Sequence, residues 1–334
     1  MQKYFIFLLN LIIVSSNAWS ETQARLGSYN IDTKAITISG LSSGAYMAVQ
    51  MGVAYSRTFS GVSSFGGGIY GCARGDVHRA QILCMAEPEA IDVRAHLEEI
   101  DELARRGDID PIENIRHQKL FIFQGLKDTR VLPANADKLN EFYRHLAPFT
   151  PTRVEKLAAE HGLPTLNFGN PCDVLGSPFM LACRYDGAGQ ALNTMYGSLA
   201  ARQSAVDSHL LAFSQREFDQ GKATLFAKGW LYVPEACARG EKCKLHVALH
   251  GCKMNPSFIE DQFVRHAGFN EWAESNQIIV LYPQAARLAL ENPFGCWDWF
   301  GYTGPGYITR SGPQMAALKA MVDRLAGNQN RSRN

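Results

Sequence analysis

The chain has 334 residues, 46% of them hydrophobic, with 19% charged residues and a net charge of +1. Such a chain is globular and can bury a sizeable core, as one large α/β domain or two small ones. A balance so near neutrality implies no basic face, which argues against nucleic acid and anionic membrane surfaces as partners.

The N-terminus sets the compartment. Met1-Gln2-Lys3 is short and positive, Tyr4 to Val14 is an almost unbroken apolar run, and Ser15 to Ser20 supplies small residues. This is the pattern of a secretory signal peptide over residues 1–20, cut after Ser20 or Ala18. The apolar run is shorter than the roughly 20 residues of a membrane span, so no stable anchor is expected. The eight cysteines suit an oxidising destination, extracellular or periplasmic. They allow 105 pairings, among which sequence alone does not choose. The simplest joins neighbours: Cys72–Cys84, Cys172–Cys183, Cys237–Cys243 and Cys252–Cys296. No cysteine or histidine cluster has zinc spacing, so no metal is expected.

After the leader, strands are predicted over Ala24–Tyr29 and Lys34–Ile38. They lead into Gly40-Leu41-Ser42-Ser43-Gly44 and a helix over Ala45–Tyr55. Strand, tight Gly-x-Ser-x-Gly turn and helix together are the sequence form of a nucleophile elbow. Small neighbours let the turn fold so sharply, Ser42 is pushed into the open, and the Ser43 N–H is free to meet an oxyanion. A parallel βαβ unit then predicts a strand over Phe59–Gly68.

Glu89–Arg106 reads as a solvent-facing helix and Lys119–Gly125 as a buried strand. Asp128 follows that strand, in a loop where open α/β sheets place functional groups, although capping of the next helix would equally explain it. A helix over Ala136–His145 and a strand over Thr152–Leu157 come next. His161 lies in the Gly/Pro-bearing loop beyond, while His96, His145 and His209 lie on apparent helices. His161 is the candidate general base. A cysteine-bearing loop over Asn167–Arg184 precedes helices over Gln190–Leu199 and Leu210–Phe218 and a strand over Ala223–Pro234.

The strand Lys244–Leu249 runs into His250-Gly251-Cys252, the form of an esterase oxyanion loop. In ordinary α/β-hydrolases that loop precedes the elbow. Here it comes about two hundred residues later, so the strand order reads as circularly permuted. A helix over Phe263–Asn276 and a strand over Ile278–Pro283 follow. The loop 292–302 then packs Phe294, Trp297, Trp299, Phe300 and Tyr302 around Cys296. It is either a wall of the substrate cleft or a buried satellite cluster. Met315–Leu325 is the closing helix, before a polar tail. No internal repeat, linker or further module is visible, so a single catalytic domain over 21–334 is expected, without a separate polymer-binding module.

Taken together, Gly40 to Met47, the Gly125-x-x-Asp128-x-x-Val131 loop, Glu160-His161, Cys183-x-Tyr185-Asp186-Gly187-Ala188-Gly189, His250-Gly251-Cys252 and Asn292-Pro293-x-Gly295-Cys296-Trp297-Asp298-Trp299 resemble the polyhydroxybutyrate depolymerases. The resemblance is to their single-domain, circularly permuted type and spans nearly all of the chain beyond the leader. It implies an α/β-hydrolase fold with a mostly parallel central sheet flanked by helices. It also implies Ser42 as nucleophile, Asp128 as orienting acid, His161 as base, and the N–H groups of Ser43 and Cys252 as oxyanion hole. A Cys252–Cys296 disulfide would tie the oxyanion loop to the aromatic loop, where Trp297, Trp299, Phe300 and Tyr302 are the candidate substrate contacts. The expectation is a secreted, monomeric serine esterase that needs no cofactor and acts on a polyester or its oligomers. A feruloyl or acetyl-xylan esterase is the enzymatic rival, and a non-catalytic polymer-binding protein the rival of another class.

Overall fold

The computed structural model describes residues 24–148 and 152–328. The leader assigned to residues 1–20 lies outside them. Among the described residues, eleven strands form two sheets. In chain order they are β1 Ile31–Leu41, β2 Gly61–Phe65, β3 Lys119–Gly125, β4 Thr152–Leu157, β5 Leu163–Thr165, β6 Asn170–Pro171, β7 Met180–Ala182, β8 Leu210–Ser214, β9 Lys228–Tyr232, β10 Cys243–Leu249 and β11 Ile278–Tyr282. The main sheet has the order β4-β3-β2-β1-β10-β11-β9-β8. Its first six strands run parallel, β9 pairs antiparallel with β11, and β8 pairs antiparallel with β9. The elbow strand β1 is thus central, with the strand of the His-Gly-Cys loop beside it. It is the α/β-hydrolase sheet with its chain order circularly permuted, since neighbours in the sheet are first and tenth in the sequence.

The central strands are apolar on both faces because helices cover both. Along β3, Leu120 and Ile122 enter one core cluster while Phe121 and Phe123 enter the other. The same alternation runs through β11, where Ile279 and Leu281 oppose Ile278, Val280 and Tyr282. The elbow helix Ser43–Ala54 is buried at all twelve residues. The helices Val93–Arg106, Ala134–Leu146 and Pro313–Leu325 pack into the first cluster, and Gly187–Tyr196 and Phe269–Asn276 into the second. One polar network crosses this interior: His246 of β10 bonds Thr37 Oγ1 and Ser39 Oγ of β1, each at 2.8 Å. Burial holds that imidazole neutral, its pKa lowered to about 3. The two strands that lead into the elbow and the His250-Gly251-Cys252 loop are therefore fastened side by side.

Three predicted elements differ. Residues 24–30 form no strand, although the Tyr29 N–H reaches the Leu325 carbonyl at 2.8 Å. Leu210–Phe218 is not one helix but the edge strand β8 followed by a turn of helix at Arg216–Asp219. Its leucines and alanine favour helix locally, and pairing with β9 overrides that preference. The helix over Phe263–Asn276 is two helices, Gln262–His266 and Phe269–Asn276, broken where Gly268 takes φ +89°. Four disulfides join Cys72–Cys84, Cys172–Cys183, Cys237–Cys243 and Cys252–Cys296. Among the described residues no helix is long and apolar enough to cross a membrane.

Candidate active site

The elbow begins where β1 ends. Ser42 takes φ 56° and ψ −120°, a conformation that only a rigid frame holds in a non-glycine residue. The frame allows no side chain on either flank. A Cβ at Gly40 would collide with the Gly44 carbonyl, and one at Gly44 would press on the Leu249 carbonyl at 2.6 Å. The Ser42 N–H is held by the Phe65 carbonyl of β2 at 2.9 Å, and its own carbonyl accepts from Ala45 and Tyr46 as the helix starts. Ser43 occupies the first helical position, where backbone N–H groups have no partner within the helix.

Asp128 and His161 arrive from the ends of β3 and β4. His161 Nδ1 lies 2.8 Å from Asp128 Oδ2. A carboxylate only accepts, so the ring donates from Nδ1 and keeps Nε2 as its basic nitrogen. The other carboxylate oxygen accepts the N–H groups of Arg130 and Val131, each at 2.8 Å. Both residues are buried, Asp128 at 4% exposure and His161 at 6%, whereas Ser42 is half-exposed. Ser42 and His161 line the same cleft, with no direct hydrogen bond between them. Such contacts often tighten only around a substrate.

Glu160 is a member of this site that the spacing argument did not single out. Its carboxylate accepts the Thr129 N–H at 2.7 Å, the His161 N–H at 2.8 Å and the Thr129 hydroxyl at 3.1 Å. It binds the Asp128 loop to the His161 loop. The available signal was its position, next to the candidate base and opposite a threonine that follows the candidate acid.

The His250-Gly251-Cys252 loop closes on the elbow from β10. Gly251 abuts Ser42, since a Cβ there would lie 3.4 Å from Ser42 Cβ. His250 Nδ1 lies 2.7 Å from the Gly251 carbonyl, and its Nε2 accepts the Ala285 N–H at 3.1 Å. Burial lowers its pKa to about 4, so it is a neutral brace with both nitrogens committed. The Cys252–Cys296 bond then joins this loop to the aromatic loop. Asn292 brackets Cys296, donating to its carbonyl at 2.8 Å and accepting its N–H at 2.9 Å. Asp298 gathers the N–H groups of Gly301, Tyr302 and Thr303, and burial raises its pKa against the pull of those donors.

The aromatic loop divides between the two roles left open for it. Trp299, Phe300 and Tyr302 line the cleft. Trp297 does not: it is 0% exposed, packed 5.2 Å from the His250 ring, and belongs to the core. The expectation that Trp297 contacts substrate is therefore corrected. Its ring packs against His250 and so supports the 250–252 loop. Trp299 stacks on Tyr46 of the elbow helix at 4.2 Å. The cleft has a volume of about 930 Å³ and is lined mainly by apolar side chains. Much of its far wall, including Val77, Ala80 and Met85, comes from the Cys72–Cys84 region, where the sequence carried no site motif. Among the described residues no group of three or more His, Cys, Asp or Glu could hold a metal ion.

This geometry can be set beside known proteins. A family model described as "Esterase PHB depolymerase" matches residues 228–331. A poly(3-hydroxybutyrate) depolymerase of Delftia acidovorans is 42% identical over 309 residues, covering 90% of this chain. The alignment spans 61% of that longer relative. A polyhydroxybutyrate depolymerase of Talaromyces funiculosus is 35% identical over 335 residues, covering 94% of this chain and 96% of its own length. The solved structure of a serine-to-alanine PHB depolymerase complexed with an R3HB trimer superposes with a TM-score of 0.84. That protein is 34% identical, with 91% of this chain and 99% of the other covered. The chain belongs to the polyhydroxybutyrate depolymerase family.

Proposed function

We propose that this chain is a secreted serine esterase that hydrolyses poly(3-hydroxybutyrate) or its oligomers through an acyl-enzyme. The single observation that carries the reading is the His161–Asp128 pair opening on the same cleft as a strained elbow serine. The solved relative that holds an R3HB trimer supports the substrate class.

In the first step His161 Nε2 takes the Ser42 proton as Oγ bonds to the ester carbonyl carbon. Asp128 holds the imidazole in the required tautomer and stabilises its positive form. The carbonyl electron pair moves to oxygen, and the oxyanion lies between the N–H groups of Ser43 and Cys252. Collapse breaks the bond to the alcohol oxygen, which receives the proton from His161. Water then repeats the sequence on the acyl-enzyme, releasing the acid and restoring Ser42. Trp299, Phe300 and Tyr302 offer an apolar wall to the polyester chain.

The remaining assignments belong to the same proposal. The leader over residues 1–20 directs export, the four disulfides suit an oxidising compartment, and one catalytic domain acts as a monomer. The test is release of 3-hydroxybutyrate from amorphous polymer, compared with release of ferulate or acetate from cell-wall esters. The polymer should be the better substrate, and Ser42→Ala should end its hydrolysis while leaving the fold intact. Faster release of ferulate or acetate overturns the substrate, and substantial turnover by Ser42→Ala overturns the nucleophile.

A further inference from the structure

The cleft carries charge that the interior of a polyester chain does not call for. Repeating ester units are neutral, and a carboxylate occurs only at a chain end or on a product. Yet Arg130, Lys253 and Glu291 line a cleft that is otherwise mainly apolar. Lys253 and Glu291 lie on the oxyanion and aromatic side, where the Lys253 ammonium sits 4.5 Å from the centre of the Phe294 ring. Arg130 belongs instead to the loop of Asp128. Like Lys253, it is exposed and has no carboxylate partner among the described residues. Its backbone is nonetheless fixed, because its N–H and that of Val131 both bind Asp128 Oδ1 at 2.8 Å. The preceding residue, Thr129, is fastened to Glu160 beside His161.

The chemistry gives that position a direction. His161 must hand its proton to the leaving alkoxide, so the leaving fragment departs past the imidazole. In a 3-hydroxyalkanoate chain the leaving fragment is the one that carries the free carboxylate end. Arg130, rooted two residues from the Asp128 that holds His161, lines the same cleft as that imidazole. Its planar fork of N–H donors suits a carboxylate, which can accept two of them at once.

We propose that Arg130 is a chain-end recognition residue: it receives the terminal carboxylate of the leaving fragment and biases cleavage towards the carboxyl end of short chains. This inference rests on the polyesterase function proposed above, and it concerns which ester is cut rather than how.

The test uses two substrates with the same internal ester bonds, the R3HB trimer as free acid and as its methyl ester. Initial cleavage of internal esters is followed by chromatography. The readout is the ratio of kcat/KM for the acid to that for the methyl ester, which cancels differences in active fraction. The purified protein should favour the acid roughly fivefold, in the range of a partly exposed charge pair, and the preference should shrink with added salt. Arg130→Gln should bring the ratio close to one, mainly through the KM of the acid, and Arg130→Lys should restore part of it. A ratio near one in the unmodified protein, or an unchanged ratio in Arg130→Gln, overturns the proposal. Hydrolysis of neither trimer overturns the esterase function on which it rests, a distinct result.

Discussion

The two sides of the cleft are held in place by different physics. On one side, Ser42, Asp128 and His161 stand at the ends of parallel strands, and their loops are fixed by backbone bonds and by the Glu160 clamp. On the other, residues 250–254 and 286–303 contain no long regular element. That side is held by one disulfide and by the buried side chains of His250, Asn292 and Asp298. Strand ends fix a few atoms rigidly, as proton transfer requires. A stapled loop offers a broad apolar wall and a single backbone donor, and a cross-link placed next to that donor is enough to keep it in register.

Breaking the first side should cost most. Asp128→Asn leaves the loop in place but lets the imidazole adopt the wrong tautomer. Turnover should fall roughly 10⁴-fold with little change in KM. Near-full activity in steady-state kinetics would assign the orienting role to another carboxylate. Glu160→Ala should lower kcat by about tenfold, the scale of one lost positioning contact, while Glu160→Gln, which keeps the acceptor oxygen, should recover most of it. Equal losses in both variants, counted per fluorophosphonate-reactive site, would mean that the negative charge rather than the clamp matters.

The second side should be sensitive to reduction. Replacing Cys252 and Cys296 together by alanine should lower stability by about 2–4 kcal/mol in denaturant unfolding. It should also weaken turnover more than it weakens labelling of Ser42, because the Cys252 N–H and the aromatic wall lose their common anchor. A double variant with unaltered kcat would detach the staple from catalysis.

A further effect is the pH response of the interior beneath both sides. The buried His246 and His250 have pKa values lowered to about 3 and about 4 from an ordinary 6.5. The unfolded chain therefore binds more protons than the folded one between those values. Stability should be constant in this respect above about pH 6.5 and decline as pH falls towards 4. Melting temperatures measured across that window check the sign, and a rise on acidification would contradict it.

What the sequence made legible follows the same division. Ser42, Asp128 and His161 could be singled out because strand, turn and helix signals are local: Ser42 and Asp128 follow apolar runs, and His161 follows a short predicted strand. Glu160 was not singled out because its role depends on a partner, Thr129, from another loop. Trp297 was misassigned because an aromatic-rich loop has the same composition whether its rings face a ligand or the core. For Trp297 the His250 ring decides that, and it lies tens of residues away in the chain. Leu210–Ser214 was read as helix because an edge strand is defined by its neighbour β9 more than by its own residues.

One measurement bears most directly on the central claim that Ser42 is the nucleophile of a polyesterase. The purified protein is titrated with a fluorophosphonate, the labelled residue is mapped by peptide mass spectrometry, and 3-hydroxybutyrate release from amorphous polymer is followed in the same samples. The account predicts one label per chain, on Ser42, with polymer hydrolysis falling in proportion to labelling. A label on another residue, or release that persists when Ser42 is fully labelled, would contradict it.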